Sequence, residues 1–221
     1  MRIAVLAPHP DDETLGCGGA LLRHRHEGDE TYWIIGTGIT KEYGFDKELI
    51  EKRDKEIEEV ANAFQFQDVL RLNLPTTRVD EISMSDLISR ISAVFNKIQP
   101  EILYLPFKFD IHSDHRKLFD AAFSCTKTFR YPSIKKILMM ETISETDFAP
   151  ALSQSAFVPN VFVNISEFID KKIEIMKIFA SEIKKHPFPR NEQTMRSLAM
   201  LRGAQSGVDF AEGFMLLKEM Y

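Results

Sequence analysis

The sequence predicts an α/β fold, a mostly parallel sheet flanked by helices in a single domain. Three observations point there. Short apolar runs alternate with longer amphipathic runs through the first two-thirds of the chain, the order expected of repeated strand-helix units. The 221 residues, 44% hydrophobic and 28% charged, suffice for one sizeable core. No internal repeat, low-complexity tract or linker divides residues 1–221.

RIAVLA (2–7) is the first strand, and Leu15 to Glu27, apolar at three- and four-residue spacings, is the helix that follows it. TYWII (31–35) is the second strand, and Asp46 to Phe64 the second helix. The charged run DKELIEKRDKEIEEV in that helix reads as a solvated face with weak ion pairs, Arg53 being the exception to watch. DVLRL (68–72), EILYLP (101–106) and KKILMM (135–140) complete the parallel set, with helices over Ser83 to Ile98 and Ser113 to Lys127 as right-handed crossovers. After Met140 the pattern loosens. ETISETDFAPALSQSAFVPN (141–160) is polar, contains two prolines and reads as a long functional loop leading to a short strand, VFVN (161–164). EFIDKKIEIMKIFASEI (167–183) and EQTMRSLAMLRGAQSG (192–207) are helical by period, separated by KKHPFPR (184–190), whose prolines continue neither helix.

Several function classes drop out on composition. A net charge of −5 provides no broad basic field for nucleic acid or an anionic membrane. The N-terminal apolar stretch is too short for a signal peptide or a bilayer span, which places the protein in the cytoplasm. Cys17 and Cys125 are remote from each other and read as reduced, buried thiols rather than a disulfide or thiolate metal site. GCGG (16–19) lacks the Gly-x-Gly-x-x-Gly spacing and follows acids that would repel a pyrophosphate, so its glycines read as close packing of the first helix on the sheet. His24 and His26 lie in a polar helix end and read as solvent-exposed.

The chemistry concentrates where two strands end. Behind RIAVL comes APHPDDE, placing His9, Asp11, Asp12 and Glu13 at the carboxyl edge of the sheet, where open parallel sheets bind ligands. Helix capping by Asp12 or Thr14 explains one acid but not the set, because adjacent carboxylates buried without a cation are costly. Behind EILYLP comes FKFDIHSDH, with His112, Asp114 and His115 in the loop and the following helix start. Two histidines and a carboxylate with an open position form a catalytic zinc set, and the same donors fit other divalent ions.

PHPDDE together with HSDH resembles the double signature of the PIG-L/LmbE-like de-N-acetylases, zinc hydrolases that remove the acyl group from N-acetylglucosamine-type sugars. Arg53 and the closing RGAQSGVDFAEGF also resemble segments of that family, so the likeness spans residues 1–221 as one deacetylase domain with a Rossmann-like sheet. The resemblance implies His9, Asp12 and His115 as metal ligands and Asp11 as general base. It implies His112 as the residue that faces the substrate carbonyl and protonates the leaving amine, with Asp114 orienting it, and Arg53 as a substrate contact or an ordinary salt bridge. It also implies a homo-oligomer, a trimer or hexamer.

Amide hydrolysis needs these groups. A metal-activated water supplies the nucleophile, Asp11 takes its proton, and a protonated His112, favoured by a neighbouring carboxylate, meets the oxyanion. In KKHPFPR, His186 and Arg190 are either part of an exposed loop or a rigid arm reaching a phosphate or sugar hydroxyl, and Arg190 stands as a candidate substrate-binding residue. The expected substrate is a small N-acetyl amino sugar, with the 141–160 loop tilting toward a sugar nucleotide or glycan precursor. The alternatives are a small glucosaminyl conjugate of the kind used in low-molecular-weight thiol biosynthesis, another N-acyl amine, or a non-catalytic metal-dependent binding module. Pure binding would need neither Asp11 nor His112.

Overall fold

RIAVLA forms β1 (Arg2–Ala7), and Ile3 to Ala7 are all fully buried because helices cover both faces of the strand. The computed structural model describes all 221 residues. β2 (Glu30–Gly38), β3 (Asp68–Pro75), β4 (Ile102–Leu105), β5 (Lys136–Met140), β6 (Val161–Asn164) and β7 (Ala211–Glu219) join β1 in one seven-stranded sheet, ordered β3-β2-β1-β4-β5-β7-β6. Every pairing among β1 to β5 is parallel, while β7 runs antiparallel to β5 and β6.

The helices are α1 (Asp12–His26), α2 (Lys47–Phe64), α3 (Met84–Ile98), α4 (Ser113–Ser124), α5 (Ile169–Met176) and α6 (Glu192–Ser206). The pleat of β1 sorts its side chains between two cores. Ile3, Val5 and Ala7 pack with α1, α2, α5 and α6, and Ala4 and Leu6 with α3 and α4. The starts of α2 and α3 are set by N-caps: Asp46 accepts the Leu49 N–H at 2.8 Å and Ser83 the Asp86 N–H at 3.2 Å. Both cysteines are buried and free. No helix is long and apolar enough to cross a membrane.

The structure departs from the sequence reading in four places. β7 was not anticipated: its run AEGFMLLKE is broken by Gly213, where a Cβ would crowd Arg202 and Pro159 at 3.1 Å. α1 begins at Asp12 rather than Leu15, so the acids of the first motif belong to its first turn. The helix expected over 167–183 stops at Met176, because the chain turns to bury Phe179. His24 is not free in solvent: its Nδ1 lies 2.8 Å from Asp29 and its Nε2 3.0 Å from the Tyr104 hydroxyl.

Candidate active site

The strand order reverses between β1 and β4, which are hydrogen-bonded neighbours, and the loops leaving their carboxyl ends diverge to open a crevice. Both charged motifs sit in it. Thr37 pins the first, donating from its N–H and its hydroxyl to the Pro8 carbonyl, each at 2.9 Å. Asp11 then takes φ = 133°, a conformation that costs a non-glycine residue about 1–3 kcal/mol. The buried Glu13 carboxylate over-determines it by accepting the Asp11 N–H at 3.0 Å and the Thr14 hydroxyl at 2.6 Å. Asp11 occupies the N-cap position of α1 but makes no capping bond. Its carboxylate is turned into the crevice instead.

Three donor atoms converge at one point. His9 Nδ1, Asp12 Oδ2 and His115 Nε2 lie 3.4, 3.1 and 3.3 Å apart in pairs. Bonds of about 2.0–2.1 Å at a tetrahedral angle give edges of about 3.3–3.4 Å, so the spacing fits a zinc-sized ion. The far nitrogens fix the tautomers: His115 Nδ1 lies 2.8 Å from the buried Asp110 carboxylate and His9 Nε2 lies 3.1 Å from Asp114. With protons on those outer nitrogens, two imidazole lone pairs and a carboxylate oxygen face one another. Those donors fit a divalent cation at their centre.

Beside the triad, and touching it through His9, lies a cavity of about 540 Å³ whose wall includes Asp11, Arg53, His112, Glu145, Glu182 and Arg190. The loop after α5 does reach this site. Arg190 meets Asp11 Oδ2 at 2.7 Å, Glu182 Oε2 at 3.1 Å and the Ser144 hydroxyl at 2.8 Å. Arg53 is in salt bridges and also faces the cavity: it donates to the Pro10 carbonyl at 3.2 Å and pairs with Glu182 at 2.5 Å and Glu56 at 3.2 Å. His112 caps α4, its Nδ1 accepting the Asp114 N–H at 3.1 Å, which leaves Nε2 as its donor. The Asp114 carboxylate lies 3.8 Å from His112 and is engaged elsewhere, by His9, by Thr77 N–H at 2.7 Å and by Val79 N–H at 3.2 Å. It orients a metal-ligand candidate and a loop; His112 is held by the Asp114 backbone.

Residues 4–126, more than half of the chain, match the family described as PIG-L, GlcNAc-PI de-N-acetylase. The chain belongs to the PIG-L family. This PIG-L chain is 24% identical over 227 residues to diacetylchitobiose deacetylase of Thermococcus kodakarensis, a match covering 96% of this chain and 81% of that protein. It is 22% identical over 190 residues to a probable N-acetyl-α-D-glucosaminyl L-malate deacetylase 2 of Bacillus cereus, covering 82% and 83% respectively. Its fold matches the N,N′-diacetylchitobiose deacetylase structure from Pyrococcus horikoshii with a TM-score of 0.79 at 22% identity, over 98% of this chain and 84% of the other.

The electrostatics of the PIG-L site divide its groups. Burial and the adjacent Asp12 push Asp11 up to about 7 against the pull of Arg190. Asp12 is held well below the usual carboxylate range, because His115 and His9 outweigh its burial. Burial opposes charge on His9, yet hydrogen bonds to Asp114 and Asp12 lift it to about 9, so a metal would have to displace a proton from this ring. His112 differs from expectation: burial and the neighbouring His9 lower it to about 4, so its imidazole is neutral near pH 7. Asp114, expected to keep it charged, does not offset those two effects.

Asp110, Glu145 and Glu182 were not anticipated. Asp110 carried a signal, an acid in the loop five residues beyond the end of β4 and five residues before His115. Glu145 is buried on the cavity wall with Oε2 lacking any partner and Oε1 3.6 Å from Arg190.

Proposed function

We propose that this chain is a metal-dependent amidohydrolase that removes the acetyl group from an N-acetyl amino sugar. His9, Asp12 and His115 would hold zinc or another divalent ion, and the observation that carries the reading is their three converging lone pairs. When bound, such an ion lowers the pKa of a coordinated water toward neutrality and polarises an amide carbonyl. Asp11 accepts the proton of the attacking water at its carboxylate and, near 7, suits its return to the leaving amine. His112 donates a hydrogen bond from Nε2 to the developing oxyanion as a neutral imidazole, replacing the protonated form expected from sequence. Arg190 holds the Asp11 carboxylate, and Arg53, tied to the Pro10 carbonyl, braces the same turn against the substrate.

The cavity charges favour a neutral glycoside over the sugar nucleotide toward which the sequence tilted. Arg53, Arg71 and Arg190 each already face a carboxylate, Glu182, Asp54 and Asp11 respectively, and no lysine lines the wall. A diphosphate would displace those partners and leave carboxylates unpaired. The deciding experiment is acetate release by the zinc-loaded protein from N,N′-diacetylchitobiose, UDP-N-acetylglucosamine and N-acetylglucosaminyl malate. The neutral disaccharide is expected to give the highest kcat/KM. Absence of acetate from all three, with metal bound, would sink the deacetylase reading.

Two smaller effects follow from the wall. Arg190→Met removes the charge that lowers Asp11, so the acid limb of kcat/KM, where Asp11 must lose its proton, is expected to move to higher pH; an unmoved limb would separate Asp11 from that limb. Glu145→Leu removes the unpaired acceptor and is expected to raise KM about 10–150-fold, the cost of one hydrogen bond to a charged group. Steady-state kinetics on the disaccharide checks both.

A further inference from the structure

The GCGG and EGF segments, remote in sequence, meet at a break in α1. Cys17 has φ −148° and ψ 20°, which divides the helix into a first turn carrying Asp12 and a longer second part. In an unbroken helix the Gly19 N–H would donate to Leu15 O. Here Gly19 N–H donates to Glu212 Oε1 at 2.8 Å, Ala20 N–H to Glu212 Oε2 at 2.8 Å, and Leu15 O accepts Lys172 Nζ at 2.9 Å. Lys172 and Glu212 meet at 2.7 Å and both are buried. An ion pair from α5 and β7 is thus spliced into one rung of the helix.

The glycines make the insertion fit. A Cβ on Gly18 would press on the Lys172 stem at 3.3 Å, and one on Gly19 would meet Ile165 at 2.6 Å. Side chains inserted into the backbone ladder redirect a helix axis, and a fully bonded buried pair rigidifies the new direction.

We propose that Lys172 and Glu212 are positioning residues that, by capping both sides of the Cys17 break, fix the direction of the Asp11–Gly16 turn and so the reach of Asp12 to His9 and His115. The proposal rests on the metal reading only in taking those three residues as ligands. It assigns a role in metal affinity to two residues more than 40 positions beyond the 4–126 segment matched to the family.

Co²⁺ titration of the full chain, followed by visible absorption, tests it without substrate. Glu212→Gln keeps the shape but removes the charge. In the folded variant the Co²⁺ Kd is expected to rise about 10–100-fold, the range for residues that orient metal ligands, with an altered absorption envelope and, for turnover, a lower kcat at unchanged KM. Lys172→Met is expected to do the same, and the double variant no worse than the more impaired single, since the two act as one unit. Should Glu212→Gln fail to fold, Glu212→Asp, which keeps the charge but shortens the reach, is read on the same measurements. A lowered Tm with wild-type Co²⁺ affinity and spectrum would make the pair merely structural and overturn the proposal. A wild-type chain that binds no Co²⁺ would remove the metal reading and this one together, whereas an unaltered variant beside a binding wild type removes this one alone.

Discussion

Asp11→Asn is expected to lower kcat about 10²- to 10⁴-fold, the usual contribution of a positioned proton acceptor, while bound metal per chain stays at the wild-type level. The substitution is nearly isosteric. Asparagine tolerates positive φ better than most residues, so the turn at φ = 133° keeps its shape and the backbone N–H still donates to Glu13. The Asn oxygen can still accept from Arg190, which lies 2.7 Å from the present carboxylate. What disappears is the capacity to take and return a proton. Metal analysis together with acetate release separates the outcomes. Near-wild-type turnover would remove Asp11 from the chemistry, and loss of metal would make it a ligand rather than a base.

The contrast between Asp11 and Asp12 explains how much of the site the sequence made legible. Two strand ends loaded with His and Asp identified where the ligands gather, because burying that many charges has no packing rationale. The parallel order of β1 to β5 followed from alternating runs, and it is this order that brings residues 9 and 115 together across adjacent strands. Neighbour relations within the loops were less legible. Asp114 and His112 are two apart, which suggested a pair, but a capping backbone N–H reaches the imidazole first and turns the carboxylate toward His9. Arg190 and Glu182 sit in turns with no period to read, and their approach to Asp11 depends on where α5 stops. The break at Cys17 is equally hidden, since it depends on a lysine and a glutamate more than 150 residues downstream.

His115→Ala is expected to abolish measurable metal binding, a larger loss than the about 10–100-fold weakening expected for Asp110→Asn, which removes only the charge that orients the imidazole. The reason lies in how His115 is held. It is fully buried, with Nε2 facing Asp12 at 3.1 Å and Nδ1 facing Asp110 at 2.8 Å. Removing the ring deletes one of the three proposed ligands and strips Asp110 of its imidazole partner, leaving only the Thr146 hydroxyl at 2.7 Å. An uncompensated buried charge of this kind costs about 3–5 kcal/mol, so the variant also melts earlier. The pH dependence of that deficit has a definite sign. Burial already raises the Asp110 pKa, and without His115, which lowers it, the pKa rises further. A carboxyl whose folded pKa exceeds its unfolded value contributes its stability at low pH and loses it as pH rises through the folded pKa. The Tm gap between His115→Ala and the wild type, each measured free of metal, is therefore expected to widen as pH rises from about 4 to about 6.5; at higher pH the wild type itself loses the stability that its raised His115 contributes. The double variant Asp110→Ala/His115→Ala should lose that pH dependence while still binding no metal. Wild-type affinity in His115→Ala would displace this histidine from the ligand set, and a gap that narrows between about pH 4 and 6.5 would mean that Asp110 is not the group left unpaired.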